Sequence, residues 1–385
     1  MLSDFLSPID VEQLFDTESF AANQMKNIFS IYDKEFPDLE GVNIAIIGIQ
    51  EETGARNNEG TQHAPDHVRK ALYKLYKPDY EIKVADLGNI KAGNTYQDTL
   101  YAVRSVCGKL LYNNIVPIII GGSHDLTYGQ FLAYEEINQT VNVTIVDERI
   151  NIKENEQKPS ADNFLLDMFL HEPNFLFNFS QIGHQSYFVD PDTLRALEKL
   201  HFDCYRVGML NHNIEEVEAI IRDSDLLSFD ISAIKASDAP ANANLTPNGF
   251  DGQQACRIAR YAGLSDKISS FGLYEINPLF DDKGLTSVLG AQMIWYFIDG
   301  FYHRLNDKPL QDKAKFLKYM VELEEHGLTF WKSQKSGRWW MEVPFNVSKE
   351  KFKRHHLVSC SYSDYEAAMQ GDVPDRWIRA YEKLS

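Results

Sequence analysis

Four apolar runs in this chain end on side chains that bind cations. The run IVPIIIGG (115–122) leads to His124, and VNVTIVD (141–147) ends on Asp147, with Arg149 and Asn151 just beyond. LLSFDIS (226–232) carries Asp230 and Ser232, and KISSFGLYEI (267–276) carries Glu275. Carboxylates supply charge and imidazole supplies a directional nitrogen, so such groups gathered at one rim form a donor set for a divalent cation. Each residue alone has a plainer role: a strand-end Asp commonly caps a helix, and a His after Gly-Gly is commonly structural. Four such ends in one chain point to a site.

That site requires a scaffold that aligns strand ends. Short apolar runs at 42–49, 115–122, 141–147, 204–209, 226–232 and 267–276 read as strands. Their continuous apolarity predicts burial on both faces. Helical patterns lie between them at 99–114, 190–201, 213–223 and 251–263, with a further helix at about 287–304. Asn213 and Asp251 are placed as N-caps and Gly263 as a stop. The expected fold is α/β, a three-layer doubly wound parallel sheet, in which ligands gather at the carboxyl ends of the strands. Residues 1–41 read as an N-terminal segment of two short helices, 42–304 as the α/β body and 305–385 as a C-terminal extension. The extension holds four of the five tryptophans, Trp331, Trp339, Trp340 and Trp377. Aromatic side chains that dense must be buried, either on the body or against a protein partner or second copy.

Composition narrows the function. The net charge of −18 excludes the clustered basic footprint of a nucleic-acid binder. The charge is uneven: residues 304–385 hold 15 basic and 12 acidic residues, leaving 23 and 44 for the rest, so +3 stands against −21. No apolar run approaches the roughly 18 residues of a membrane span. An acidic N-terminus without a cleavage site suggests the cytoplasm. The four separated cysteines, Cys107, Cys204, Cys256 and Cys360, read as reduced buried thiols.

The order of these motifs resembles the ureohydrolase superfamily of arginases, agmatinases and formimidoylglutamases over about residues 42–304. The segment GIQEETGARNNEGTQHAPDHVRKAL resembles its opening, with Asn58, Gly60, Pro65 and Arg69 in order. GGSHDLTYG is similar to its first metal motif, SFDISAIKASDAPA to its third, and GLYEINP to a closing motif with a substrate-side glutamate, here Glu275. The stretch KENEQKPSADNF resembles the formimidoylglutamase branch, which implies pocket roles for Lys153, Ser160 and Asn163, with Pro159 and Phe164 fitting and Asp162 in place of Gly. The resemblance implies two manganese ions that activate a hydroxide to attack an amidine or guanidine carbon.

Ligand by ligand, the match is half complete. His124, Asp147 and Asp230 occupy ligand positions, whereas Arg149, Asn151 and Ser232 stand where the family has His, Asp and Asp. One ion position keeps three ligands plus an amide able to offer oxygen; the other contains a permanent cation that cannot ligate. Arg149 is therefore expected to take the second ion's place, paired with Asp147 and Asp230. Two functions follow from the resemblance. One is an impaired hydrolase or pseudoenzyme serving as a binding or scaffold protein, with one manganese ion at most or none. The other is an active formimidoylglutamase-like or arginase-like hydrolase of amidine or guanidine C–N bonds that uses a single ion.

Overall fold

A computed structural model describes residues 2–16, 18–153, 160–309, 313–323, 327–344 and 354–384. Ten strands form the main sheet: β1 Leu6–Ser7, β2 Ser30–Ile31, β3 Ile44–Ile49, β4 Val84–Ile90, β5 Val116–Ile120, β6 Val141–Val146, β7 Leu176–His184, β8 Asp203–Arg206, β9 Leu226–Asp230 and β10 Ser270–Tyr274. Their order is β1-β4-β3-β5-β10-β9-β6-β7-β8, with β2 also on β4. All pairs are parallel except β1 on β4, where Leu6 faces Ile90. The N-terminal segment, expected to be helical, thus also supplies two short strands at the sheet edge beside the helices Val11–Phe15 and Met25–Ile28.

Alternation along β3 shows the layers directly. Ile44 and Ile46 enter one core, while Ala45, Ile47 and Ile49 enter the other. Two faces and two cores explain why these strands read as unbroken apolar runs. On the first face the helices Gly252–Leu264 and Leu285–Tyr302 cross closely. A Cβ on Gly263 would lie 2.2 Å from the Phe297 carbonyl oxygen, so only glycine allows that approach. Asp251 caps the first of these helices by accepting from Gln254 N, as expected. Asn213 does not cap its helix, which spans Glu216–Arg222 and begins after Glu215. The run predicted as a strand at 204–209 ends at Arg206 and turns helical over Val207–His212.

A buried ion pair fixes one end of the sheet. Arg69 is fully buried and donates from Nε and Nη2 to the two carboxylate oxygens of Asp86, each at 2.9 Å. Its Nη1 reaches Asn89 at 2.6 Å, and the Gly88 carbonyl accepts a further bond at 2.8 Å. A guanidinium with every polar direction answered is the form in which a buried charge is tolerated.

The C-terminal extension forms a second, antiparallel sheet of β11 Phe316–Glu322, β12 Gly327–Ser333, β13 Trp339–Glu342 and β14 Leu357–Cys360. The helices Tyr362–Met369 and Asp375–Leu384 follow it. Trp339 and Trp377 pack into this module with Phe330, Met341 and Cys360, and Trp331 and Trp340 pack with Leu357. All four tryptophans are buried, so these rings are not themselves an exposed contact surface. Arg222 of the body lies 4.6 Å from the Trp340 ring and donates to the Cys360 carbonyl at 2.9 Å, tying module to body. Cys107, Cys256 and Cys360 are buried free thiols, whereas Cys204 is only half-buried. Among the described residues no helix is long and apolar enough to cross a membrane.

Candidate metal centre

The adjacent strands β5, β10, β9 and β6 carry His124, Glu275, Asp230 and Asp147 at or just beyond their carboxyl ends. The turn after β5 depends on glycine for close approach. A Cβ on Gly122 would fall 1.8 Å from the Glu51 carbonyl oxygen, and one on Gly121 would strike the Tyr274 ring. The imidazole of His124 is fully buried between Phe164 and Tyr274, whose ring centroids lie 4.9 and 5.5 Å away.

Its two nitrogens have separate tasks. Nε2 lies 2.9 Å from Ser228 Oγ, which in turn contacts Thr127 Oγ1 at 2.6 Å. Nδ1 faces Asp147 Oδ2 at 3.1 Å and Asp230 Oδ2 at 3.3 Å. A hydroxyl that accepts from Nε2 leaves the Nδ1 lone pair for an ion, the usual way a neighbouring group sets a ligand tautomer. The potential ligand atoms of His124, Asp147 and Asp230 lie within 4.8 Å of one another. One nitrogen and two carboxylates fit a single divalent cation of borderline character.

Without an ion, a proton serves the same carboxylates. Burial alone would lower the His124 pKa, but hydrogen bonds to Asp147 and Asp230 overcome it and push the value up to about 10. Burial and the charge of Asp230 hold Asp147 above the usual carboxylate range. Burial and the same Asp230 charge raise Glu275 to about 8. The Glu275 carboxylate accepts from His124 N at 2.8 Å and from Asn58 Nδ2 at 2.7 Å, one donor to each oxygen. Its backbone adopts the left-handed conformation, φ 65°, unusual for a residue with a side chain.

The altered positions do not behave as a substitute ion. The Arg149 guanidinium turns to Glu148, with Nε to Oε1 at 3.2 Å, and stacks on Phe188 with 4.1 Å between its carbon and the ring centroid. Among the described residues it makes no ion pair with Asp147 or Asp230. Only its backbone N–H reaches Asp147 Oδ1, at 2.8 Å. The expected internal salt bridge is thus replaced by His124, which is shorter and already lies between both carboxylates. Asn151 donates from Nδ2 to Asp147 Oδ2 at 2.6 Å, so its amide offers nitrogen rather than oxygen to that carboxylate. Ser232 donates its backbone N–H to Asp230 Oδ1 at 2.7 Å.

The partly open space beside these groups is about 30 Å³, bounded by Asp147, Arg149, Asn151, Asp230, Ser232 and Glu275 among others. That volume holds on the order of two waters. Arg56 pairs with Asp162 at 2.8 Å along its wall, and Lys153 lies 3.6 Å from the other Asp162 oxygen. Lys153, Ser160 and Asn163 shape this loop but do not line the cavity; Asn163 Oδ1 accepts from Ser160 N at 2.9 Å. Pro159 lies outside the described residues. Sequence reasoning missed Ser228 and Asn242. The first is a small polar residue inside a strand and left no signal; the second donates to the Glu275 carbonyl at 3.0 Å.

The sequence pattern of the arginase family matches residues 42–299, about two thirds of the protein. The chain belongs to the arginase family. Among related proteins, formimidoylglutamase of Geobacillus sp. (strain WCH70) is 24% identical over 274 residues, covering 68% of this chain and 84% of the relative. That of Geobacillus kaustophilus is 27% identical over 262 residues, covering 64% and 80%. Trypanosoma cruzi formiminoglutamase with two Mn2+ superposes with a TM-score of 0.67 at 20% identity, covering 73% of this chain and 99% of that one. Bacillus subtilis formimidoylglutamase gives a TM-score of 0.66 at 18% identity, covering 75% and 96%. At such identities the superpositions establish an arginase-like fold, and the site must be argued from its own residues.

Proposed function

We propose that this protein is a formimidoylglutamase-like member whose two-ion site is reduced to one position, and that it binds rather than hydrolyses. One observation carries the proposal. His124, Asp147 and Asp230 present convergent ligand atoms, while Arg149 points away and Asn151 turns a donor toward Asp147. A manganese ion, as in the Trypanosoma cruzi relative, would be held by those three groups and would supply Lewis acidity to a bound water. Asn58 and the His124 backbone N–H hold Glu275 at the rim, where its remaining lone pairs can accept from a cationic amidine or guanidine.

Space restricts what this site admits. Ligand pockets commonly offer about 300–1,000 Å³, far above the roughly 30 Å³ here. A substrate of formimidoylglutamate size requires the Arg56–Asp162 pair to open. In this proposal the C-terminal module is the protein-facing part, a scaffold element built from residues beyond the family match. The test is metal content of manganese-loaded protein, followed by glutamate or urea release from formimidoylglutamate, arginine and agmatine. One ion per chain with no turnover is expected. Turnover that disappears in Asp230→Ala would instead establish the single-ion hydrolase.

A further inference from the structure

At the amino ends of β6, β7 and β8, the opposite end of the strands from the metal centre, a partly open cavity of about 60 Å³ lies between the body and the C-terminal module. Five basic side chains line it: Lys267 from the body and His355, Arg376, Arg379 and Lys383 from the module. The chain as a whole is strongly acidic, so this concentration is local.

The nearby carboxylates are already engaged. Asp203 pairs with Arg379. Asp223 accepts from the Ser359 backbone N–H and from Ser359 Oγ. Asp225 lies 3.7 Å from Lys267 Nζ but also pairs with Arg354. Arg376 is drawn to Glu216 at 3.2 Å and Asp364 at 3.3 Å. Lys383 reaches only the Asn178 amide oxygen and, among the described residues, no carboxylate within ion-pair range. Its stem lies over Phe202, with Nζ 5.0 Å from the ring centroid.

His355 gives the independent sign of a missing ligand. It is 4% exposed, and its ring stacks on Phe177 with centroids 3.8 Å apart. Nε2 meets Thr140 Oγ1 at 3.1 Å, whereas the buried Nδ1 has no partner among the described residues. A Thr140 hydroxyl that donates to Nε2 leaves Nδ1–H as a donor with no acceptor, an arrangement buried polar groups rarely keep.

We infer that this cavity is a binding site for a small inorganic oxyanion of the phosphate type, which accepts from His355 Nδ1 and is paired by Lys267 and Lys383. Size favours the free anion, because about 60 Å³ admits roughly four or five waters and an organic ester body would have to project out of it. The charge balance agrees. Burial presses the Lys267 pKa down to about 8 against the pull of Asp225, with Lys308 and Arg354 adding to the fall, and burial with Arg379 does the same to Lys383 against Asp203. An anion among them relieves those repulsions.

The experiment is a phosphate titration of the full chain followed by thermal unfolding, against chloride at equal ionic strength, with glycerol 3-phosphate as the ester arm. A phosphate-specific rise in Tm is expected, with affinity at least tenfold weaker in Lys383→Met and in Lys267→Met and no rise with the ester. Arsenate soaked into wild-type crystals should give an anomalous peak in this cavity, a readout that needs no variant. No phosphate-specific rise, an equal rise in both variants, an ester effect as large as that of phosphate, or an arsenate peak only elsewhere overturns the inference.

Discussion

Rebuilding the second ion position is the sharpest test of why this site differs from its relatives. The perturbation is Arg149→His with Asn151→Asp and Ser232→Asp. Removing the Arg149 side chain takes the partner from the buried Glu148, but burial already raises that carboxyl to about 8, so a proton can neutralise it, and the guanidinium is about one-third exposed and screened. Such a pair contributes about 0.2–1 kcal/mol, and the Phe188 stacking about 0.5–1 kcal/mol. The new carboxylates cost more. They join Asp147 and Asp230, whose ligand atoms already lie within 4.8 Å. Like charges at about 5 Å with an effective dielectric near 20 repel by about 3 kcal/mol per pair. The metal-free triple variant is therefore expected to be less stable than wild type by about 4–8 kcal/mol, the sum of one or two such pairs and the lost contacts. Manganese should restore most of that loss. Urea unfolding with and without manganese reads the stability, and elemental analysis should show one ion in wild type and two in the variant. Two ions in wild type, or one in the triple variant, would refute the ligand-by-ligand reasoning.

Other perturbations reach separate parts of the molecule. Arg69→Met leaves Asp86 buried without its bidentate partner and should cost about 3–5 kcal/mol in urea unfolding; a loss under 1 kcal/mol contradicts the role given to that pair. Gly122→Ala forces the turn away from the Glu51 carbonyl and should lower manganese affinity more than tenfold by displacing His124, read by titration calorimetry. Unchanged affinity would separate the turn from the site. Lys267 titrates near 8 when folded, below its unfolded value of about 10.4. Its contribution to stability is thus complete above the unfolded value and is lost as pH falls through about 8. Between pH 8 and 10 in phosphate-free buffer, the rise in unfolding midpoint should be smaller in Lys267→Met than in wild type; equal slopes would remove Lys267 as the cause.

The rim was legible in the sequence because β5, β6, β9 and β10 are apolar runs that end abruptly in polar side chains. That contrast is what a buried parallel strand with a functional end looks like. Two body strands were not legible. β4, VADLGNI, is interrupted by Asp86 and Asn89, which serve Arg69, and β7, LFNFSQIGH, carries Asn178, Ser180 and Gln181. Polar residues with buried partners hide a strand from any pattern of hydrophobicity. The C-terminal strands Gly327–Ser333 and Trp339–Glu342 flank Ser336-Gly337, a turn signal, but GLTFWKS and WWME lack the strict alternation that marks a half-buried strand. The direction of Arg149 was beyond sequence altogether. Charge balance placed Arg149 between Asp147 and Asp230, and His124 lies there instead.

The left-handed backbone at Glu275 has a consequence for kinetics. Its N–H is held by the Gly122 carbonyl at 3.0 Å, and its carboxylate by His124 and Asn58, so folding itself sets the residue in place. The conformational strain, about 1–3 kcal/mol for such a residue, is met before any ligand arrives. A ligand small enough to enter without opening the Arg56–Asp162 pair then has no acceptor loop to order, and its association should follow a single exponential whose rate rises linearly with ligand concentration. Any slow second phase would report the Arg56–Asp162 pair swinging open, which makes that pair the timekeeper of the site.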